Sequence, residues 1–201
     1  MRTAVFTVVA LIAGAGAGAL SAVAMAGLLP IGGGASDFEV DVDGWRSDWS
    51  IGDRAANLYV RARIARHGLL ALRKTEAVYF TRSRDDAGRP LVESCDYRIS
   101  GGRQDAVWWS VTLYDGESRL PMNTDEALSV DQTRVGDVQS WSAIISARPP
   151  DDDANWISSR AAGRFDLTLR LYKPSGAVLD APAAHLSPPR VTRLGCEETS
   201  A

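Results

Sequence analysis

"VWWSVTLYDGESRL", residues 107–120, is the stretch that decides the fold. Side chains on a β-strand point alternately to opposite faces, so the adjacent Trp108 and Trp109 must lie on different sides of a sheet. One face is apolar, and it comprises Val107, Trp109, Val111 and Leu113. The other is polar with aromatic ends, and it comprises Trp108, Ser110, Thr112 and Tyr114. Burying each large apolar side chain contributes about 1.5–3 kcal/mol, which fixes the register and predicts that Trp109 is in the core.

The same division recurs in the segment that begins at Phe165. Its apolar face comprises Phe165, Leu167, Leu169 and Leu171, and its polar face comprises Asp166, Thr168, Arg170 and Tyr172. In all, six segments rich in β-branched and aromatic residues alternate in this way, namely 76–83, 91–100, 106–115, 138–147, 164–173 and 190–196. Turn sequences separate them and no helix-length pattern intervenes, which favours an antiparallel β-sandwich or a jelly-roll-like fold.

One amphipathic helix is expected to pack on this mainly β domain. Across residues 53–74 apolar side chains recur every three or four positions, which is typical of a half-buried helix: Ala55, Leu58, Ala62, Ala65, Leu69 and Leu72. The preceding acidic segment, which contains Trp45 and Trp49, is interpreted as an extended arm that packs back on the domain. The predicted organisation is an N-terminal segment over residues 1–30, a linker and acidic arm over 31–51, and a β-sandwich domain with its leading helix over 52–201.

The first thirty residues are predicted to be a single transmembrane helix. "AVFTVVALIAGAGAGALSAVAMAGLLP" is uncharged and longer than the ~20 residues that span a bilayer. A cleaved signal peptide is the alternative, because "AVAMAG" has small residues at cleavage-like spacing, but signal cores run only ~7–15 residues. Arg2 is the only charge before the span, so the positive-inside rule keeps the N-terminus in the cytoplasm. We therefore expect a single-pass protein of the inner (plasma) membrane with a periplasmic or extracytoplasmic domain, or a secreted domain if the signal is cleaved.

An exported domain lies in an oxidising compartment, where Cys95 and Cys196 are expected to form a disulfide. These are the only two cysteines of the chain, and their wide separation is neither a zinc pattern nor a redox pair. The alternative is two unpaired thiols.

Several kinds of chemistry lack support in the sequence. A net charge of −3 does not favour nucleic acid binding. The two histidines, His67 and His185, show no metal-ligand spacing, and no nucleotide-binding glycine motif or serine-hydrolase elbow occurs. We therefore expect no metal, no cofactor and no catalytic residue. Carboxylates can act as acids and bases without a motif, and the candidates are Asp115 with Glu117, Asp125 with Glu126, and Asp166.

The polar face of the two alternating strands is the candidate binding surface. An arginine beside hydroxyl groups can hold a carboxylate or a sugar hydroxyl, although an ordinary solvated strand face has the same composition. The predicted binding residues are Trp108, Thr112, Tyr114, Asp166, Thr168, Arg170 and Tyr172.

Several motifs together resemble a bacterial family known as domain of unknown function 1214. They are "NLYVRARIARHGLLAL", "EAVYF", "WWSVTLYD", "NWI", "GRFDLTLRLYKP" and "SPPRV", and the resemblance covers roughly residues 52–191. It implies a β-sandwich or jelly-roll-like fold and brings no catalytic residues. The chain departs from the family pattern at "TDEALSV" and "ISSRAAG", so an activity carried by those loops would be in doubt here.

Three hypotheses follow for the function. The first is a membrane-anchored, non-catalytic binding module for a glycan, a lipid head group or a partner protein. The second is a carboxylate-dependent enzyme that acts on an envelope sugar or lipid. The third is a structural subunit of a membrane assembly, which would form an oligomer through the anchor or a sheet edge.

Overall fold

The computed structural model describes residues 2–25, 40–49, 72–136, 138–152 and 154–197. The helices in these ranges are α1 (Arg2–Met25), α2 (Gln132–Val135), α3 (Gly176–Asp180) and α4 (Pro182–His185). The strands are β1 (Val40–Val42), β2 (Trp45–Ser47), β3 (Ala77–Arg82), β4 (Cys95–Gly102), β5 (Ala106–Asp115), β6 (Ser129–Asp131), β7 (Ser140–Ser146), β8 (Asn155–Ser158), β9 (Phe165–Pro174) and β10 (Arg190–Cys196). The prediction of a mainly β protein with one long N-terminal helix is confirmed.

The strands form two sheets. The first has six strands in the order β1-β2-β3-β9-β5-β6, and each neighbouring pair is antiparallel. The second has four strands in the order β10-β4-β7-β8. Its β7–β8 pair is parallel, with Ile145 opposite Ile157, so the sheet is mixed. The expectation of purely antiparallel pairing is wrong for this pair.

A single core cluster contains buried side chains from both sheets. Trp109 on β5 stacks on Trp141 on β7, with 4.6 Å between ring centroids. Tyr97 on β4 meets Phe165 on β9 edge-on at 5.8 Å. Trp109 is 2% exposed, which confirms its predicted place in the core. The apolar face of β9 is buried throughout, as its alternation predicts.

Val107 departs from the expected pattern. The alternation predicts that Val107 lies on the same buried face as Trp109, but 67% of its surface is exposed. The β5–β9 pairing omits Val107 and Lys173 between the Ala106–Pro174 and Trp108–Tyr172 pairs, and Lys173 has a φ of 47°. This local irregularity takes Val107 out of the regular alternation.

All six predicted strand segments contain an observed strand, whereas four short strands were not predicted: β1, β2, β6 and β8. β1 and β2 form a hairpin that joins β3, and Trp45 is fully buried, so the described part of the acidic arm, residues 40–49, packs back on the domain. Most of the helix predicted over 53–74 lies outside the described residues. Its last three positions, 72–74, are irregular or turn.

Helix α1 contains a stretch, Val5–Ala24, that is long and apolar enough to cross a membrane, with a mean hydropathy of 2.0. The side chains of Val5–Ala24 are largely exposed and do not pack on the rest of the protein. This is expected of an apolar helix that lies in a membrane. A signal sequence would have the same properties, so the segment is a candidate membrane span or a signal sequence.

Candidate functional site

All seven predicted binding residues lie on one face of two neighbouring strands. The β5–β9 register places Trp108 opposite Tyr172, Thr112 opposite Thr168, and Tyr114 opposite Asp166. Arg170 lies opposite Ser110, between the first two of these pairs. We call this surface, made of Trp108, Thr112, Tyr114, Asp166, Thr168, Arg170 and Tyr172, the polar face. Its members are half-buried except Thr168, which is 4% exposed.

The Arg170 guanidinium is the central charge of the polar face. Its Nη1 donates a hydrogen bond to Thr112 Oγ1 at 2.8 Å, and its Nη2 donates to the Tyr114 hydroxyl. Its Cζ also lies 5.3 Å from the Tyr114 ring centroid and 5.9 Å from that of Tyr79. Within the described residues no carboxylate pairs with it. Neutral hydroxyls and rings therefore orient the cation without cancelling its charge.

Trp108 and Tyr172 form an aromatic pair at one end of the face. Their ring centroids are 5.3 Å apart and their planes are inclined by 59°. Trp108 Nε1 donates to Thr133 Oγ1 on α2 at 2.9 Å, which fixes the orientation of the indole. The two rings therefore offer an apolar surface, and the indole N–H of Trp108 already has a hydrogen-bond partner.

Thr168 lies beneath these groups. Its Oγ1 is 3.4 Å from that of Thr81 on β3, a contact in which either hydroxyl can donate. Because Thr168 is buried, it is poorly accessible to a ligand, and its contact with Thr81 serves the packing of the polar face.

Tyr79 on β3 is a part of this surface that was not predicted. It pairs with Arg170 in the β3–β9 register and is 7% exposed. Burial, and next the neighbouring Tyr172, raise the pKa of Tyr79, although the Arg170 charge opposes the shift. Tyr79 therefore remains a neutral phenol at physiological pH. Alternation within 76–83 places Tyr79 and Thr81 on one face, but only the pairing of β3 with β9 brings them to Arg170.

Asp166 is the unusual acid of the polar face. Burial raises its pKa to about 7, and the negative charge of Asp115 adds to the shift. Within the described residues its carboxyl has no hydrogen-bond partner. Near neutral pH this group therefore exists in both protonation states.

Three of the four other candidate carboxylates, Asp115, Glu117 and Asp125, form hydrogen bonds or ion pairs in their own loops. Asp115 accepts hydrogen bonds from the backbone N–H groups of Glu117 and Arg119, each at 2.9 Å, and these bonds hold its pKa below the ordinary value. Glu117 pairs with Arg119 at 2.6 Å. Asp125 accepts from Ser158 Oγ at 2.6 Å and pairs with Arg160, whose side-chain hydrogen bond lowers the pKa of Asp125. Glu126 has a φ of 54° in the same loop.

Two cavities lie at opposite ends of β9. One of about 230 Å³ is lined by Ser83, Arg84, Pro90, Leu91, Gly116, Arg164, Phe165 and Asp166. The other, of about 530 Å³, is lined by Arg103, Gln104, Asp105, Ala106, Val107, Lys173 and Ser175. The sequence alone indicated neither, because each combines loops that are distant along the chain.

No group of three or more His, Cys, Asp or Glu side chains within the described residues is arranged to hold a metal ion. His185 is exposed at the end of α4, and His67 lies outside the described residues.

Solved structures with a similar fold include the VPA0106 protein from Vibrio parahaemolyticus. The TM-score is 0.54 at 22% identity, over 69% of this chain and 36% of that one. A weaker match, an uncharacterized protein from Burkholderia cenocepacia, has a TM-score of only 0.42 at 17% identity, over 59% of this chain and 30% of that one. The chain thus spans about a third of the length of the solved proteins that it matches. No curated protein matches it.

A family model described as a protein of unknown function, DUF1214, matches residues 76–176. The matched segment begins at β3 and continues into α3, so it includes both strands of the polar face. Because the match spans half of the 201 residues, the chain belongs to the DUF1214 family.

Proposed function

We propose that this protein is a membrane-anchored, envelope-facing β-sandwich that binds an anionic glycan through its polar face and catalyses no reaction. In this proposal α1 remains uncleaved in the inner membrane and the two sheets form the sandwich on the periplasmic or extracytoplasmic side. The observation that carries the proposal is the charge of Arg170, which no carboxylate of the described residues neutralises.

The chemistry of the polar face suits an acidic sugar. A guanidinium group presents five N–H donors in a planar fork that matches a carboxylate or a phosphate. Hydroxyls accept the two Arg170 donors described above, so further N–H groups are available to a ligand. Beside them, the pair of Trp108 and Tyr172 offers an apolar surface for the face of a sugar ring.

The enzyme hypothesis has weaker support. Asp115 and Asp125 each accept hydrogen bonds from neighbouring residues and form an ion pair with an arginine, Arg119 and Arg160 respectively. Asp166 is a half-buried carboxyl without a hydrogen-bond partner within the described part of the chain. A single acid without a positioned partner is a poor basis for acid–base catalysis of glycoside cleavage, which uses two carboxylates.

The test is a tryptophan fluorescence titration of the full-length protein in detergent with two matched ligands. Oligogalacturonate carries one carboxylate per sugar, whereas the corresponding neutral galactose oligomer carries none. We expect a saturable change with the acidic oligomer only. Arg170→Gln should weaken binding at least tenfold, because it removes the charge-assisted hydrogen bonds.

The matched control is Arg98→Gln, which removes an exposed arginine from β4 in the other sheet. It should bind the acidic oligomer like the wild type, and circular dichroism should show that both variants are folded. Trp108→Phe should remove most of the fluorescence change, which would assign the signal to the polar face. Equal binding by the Arg170 and Arg98 variants would refute the proposal. A response to vesicles of anionic lipid but to neither oligomer would replace the glycan with a lipid head group.

A further inference from the structure

The cavity of about 230 Å³ lies where β3 and β5 end and β9 begins. Its apolar base is rigid, because Leu91 and Phe165 are 1% and 3% exposed. Leu91 N donates to Ser83 O at 3.0 Å, and Phe165 N donates to Leu91 O at 3.2 Å. The strand ends that line the cavity are therefore fixed to one another before any ligand arrives, which lowers the cost of binding.

Two arginines line this cavity. Arg84 follows β3, and its Nη1 donates to Gly88 O at 2.8 Å, which leaves its charge unneutralised. Arg164 precedes β9, next to the start of the strand. Neither forms an ion pair within the described residues. The third charged group of the lining is Asp166, whose carboxyl has no hydrogen-bond partner there.

We propose that this cavity binds a single oxyanion, a phosphate or sulfate group, held by the guanidinium groups of Arg84 and Arg164 beside the carboxyl of Asp166. The size of the cavity suits one such group, since it is smaller than the ~300–1,000 Å³ of ordinary small-molecule pockets. The site requires neither Arg170 nor Trp108, and it therefore goes beyond the glycan-binding role of the polar face.

Binding at this site should depend on pH. The charged and titratable groups near Asp166 come from three elements: Arg84 after β3, Tyr114 and Asp115 at the end of β5, and Arg164 before β9. Arg119 pairs with Asp115, and Arg170 lies further along β9. Glu117 and Arg119 pair with each other, and Asp115 adds repulsion to the effect of burial on Asp166. With its pKa at about 7, Asp166 is a neutral donor in mild acid and an anion in mild base. Oxyanion affinity should therefore fall as the pH rises through 7.

Linkage gives a second, more specific consequence. A ligand that binds the protonated form of Asp166 more tightly must raise the pKa of Asp166 when it binds. Sulfate is the appropriate probe because it remains a dianion across the range from pH 5.5 to 8.5, so any pH dependence belongs to the protein.

The experiment measures the pKa of Asp166 from its side-chain carboxyl ¹³C shift, in full-length protein in detergent with labelled aspartate. Asp166→Asn assigns the signal. We expect the pKa of Asp166 to rise by about half a unit or more in saturating sulfate, but not in sodium chloride of equal ionic strength. By linkage, a rise of half a unit corresponds to a fall of about 2.5-fold in the affinity for sulfate between pH 6 and pH 8 in the wild type, and a larger rise to a larger fall. This pH dependence should be lost in Asp166→Asn.

Three arginine variants locate the site. Arg164→Gln should abolish the sulfate-dependent rise, while Arg98→Gln and Arg170→Gln should keep it. A pKa of Asp166 that is the same in sulfate and chloride would overturn the proposal. So would an unchanged response in Arg164→Gln, or loss of the response in Arg170→Gln, because the latter would move the anion to the polar face. Since the Arg170 variant is tested separately with the two oligomers, failure here leaves the glycan proposal intact.

Discussion

At the scale of single residues, two charged side chains, Asp85 and Arg170, differ in whether an opposite charge lies beside them. The Asp85 side chain is fully buried in the turn after β3, and its carboxylate accepts hydrogen bonds from Arg89 N and Arg89 Nε, each at 2.9 Å. Arg193 Nε lies 3.0 Å from the same carboxylate, without the alignment of a hydrogen bond. Arg170 has no such counterion in the described part of the chain. Asp85 is thus neutralised within the fold, whereas the charge of Arg170, on which the glycan proposal rests, is not neutralised by any described carboxylate.

Asp85→Asn should lower the unfolding free energy by about 3 kcal/mol at pH 7. The substitution keeps the shape but removes the charge that two arginines share, and the loss of one partner from a buried pair costs about 3–5 kcal/mol. Urea denaturation measures the difference. The control is Glu117→Gln, which removes an exposed pairing with Arg119 and should change stability by no more than about 0.5 kcal/mol.

The same variant gives a pH test. Burial alone would raise the pKa of Asp85, but hydrogen bonds from Arg89 and the charges of Arg89 and Arg193 outweigh burial and lower it. A carboxyl with a lowered folded-state pKa stabilises the protein above its unfolded value of about 3.9, and this contribution is lost as the pH falls through the folded value. The stability gap between wild type and Asp85→Asn should therefore be constant from pH 8 to 5 and should narrow below pH 4. A gap of unchanged size at pH 3 would show that the charge is not its source.

At the scale of the elements, the contact between β4 and β7 depends on a glycine. Gly101 lies opposite Trp141 in the register of these strands. A Cβ added at Gly101 would lie 3.1 Å from Trp141 Cζ2, closer than ordinary packing. Trp141 cannot yield freely, because it stacks on Trp109 of the first sheet and its Nε1 donates to Gly102 O at 3.2 Å. The absence of a side chain on β4 thus permits an aromatic contact between the sheets.

Gly101→Ala should therefore destabilise the protein by about 1–3 kcal/mol, the usual cost of overpacking a core. Thermal or urea unfolding measures this effect. The loss should be smaller when Trp141→Leu is already present, because the ring that clashes is gone. Gly195→Ala on β10 is the matched control, since nothing lies within 4 Å of its added Cβ and it should be nearly neutral. Equal losses at both glycines would mean that the contact with Trp141 does not set the cost, because the effect of Gly→Ala on the unfolded chain is itself stabilising.

Strand prediction succeeded where alternation was long. β5 and β10 begin and end at the predicted residues, 106–115 and 190–196. The four strands that were not predicted, β1, β2, β6 and β8, have only three or four residues. A segment such as Val40–Val42 is too short to show a repeated alternation of apolar and polar residues. β8 adds a second difficulty, because it is defined by parallel pairing with β7 and not by any pattern of its own. Tertiary contacts create such strands, and local sequence does not encode them.

At the scale of the whole molecule, the sequence could predict the composition of the polar face but not its surroundings. Alternation assigned Trp108, Arg170 and their neighbours to polar strand faces, and the structure brings these two faces together because β5 and β9 are adjacent. The contributions of Tyr79, Arg84 and Arg164 follow from the order β3-β9-β5 and from the loops that close around Asp166. That order joins segments far apart along the chain, which no local pattern reveals.

The two cysteines are a further long-range link. Cys95 and Cys196 are register partners on β4 and β10, with their sulfurs at the disulfide distance of 2.05 Å. The two cysteines are separated by 101 positions in the sequence, and the segment between them includes all of β5 through β9. The bond therefore closes a loop around most of both sheets and excludes only β1, β2 and β3 among the described strands.

Replacing both cysteines by serine should lower the unfolding free energy by about 4 kcal/mol, because a loop of ~100 residues has the largest closure entropy in the unfolded chain. The measurement is urea denaturation of the full-length protein in detergent, with and without a reductant. Reduction of the wild type should reproduce the loss, while the double variant should not respond to reductant. If oxidised and reduced wild type unfold at the same urea concentration, the link does not stabilise the fold. Since disulfides persist in oxidising compartments, resistance of both thiols to maleimide in intact cells, with labelling after reduction, would also support export of the domain beyond the membrane that α1 is proposed to span.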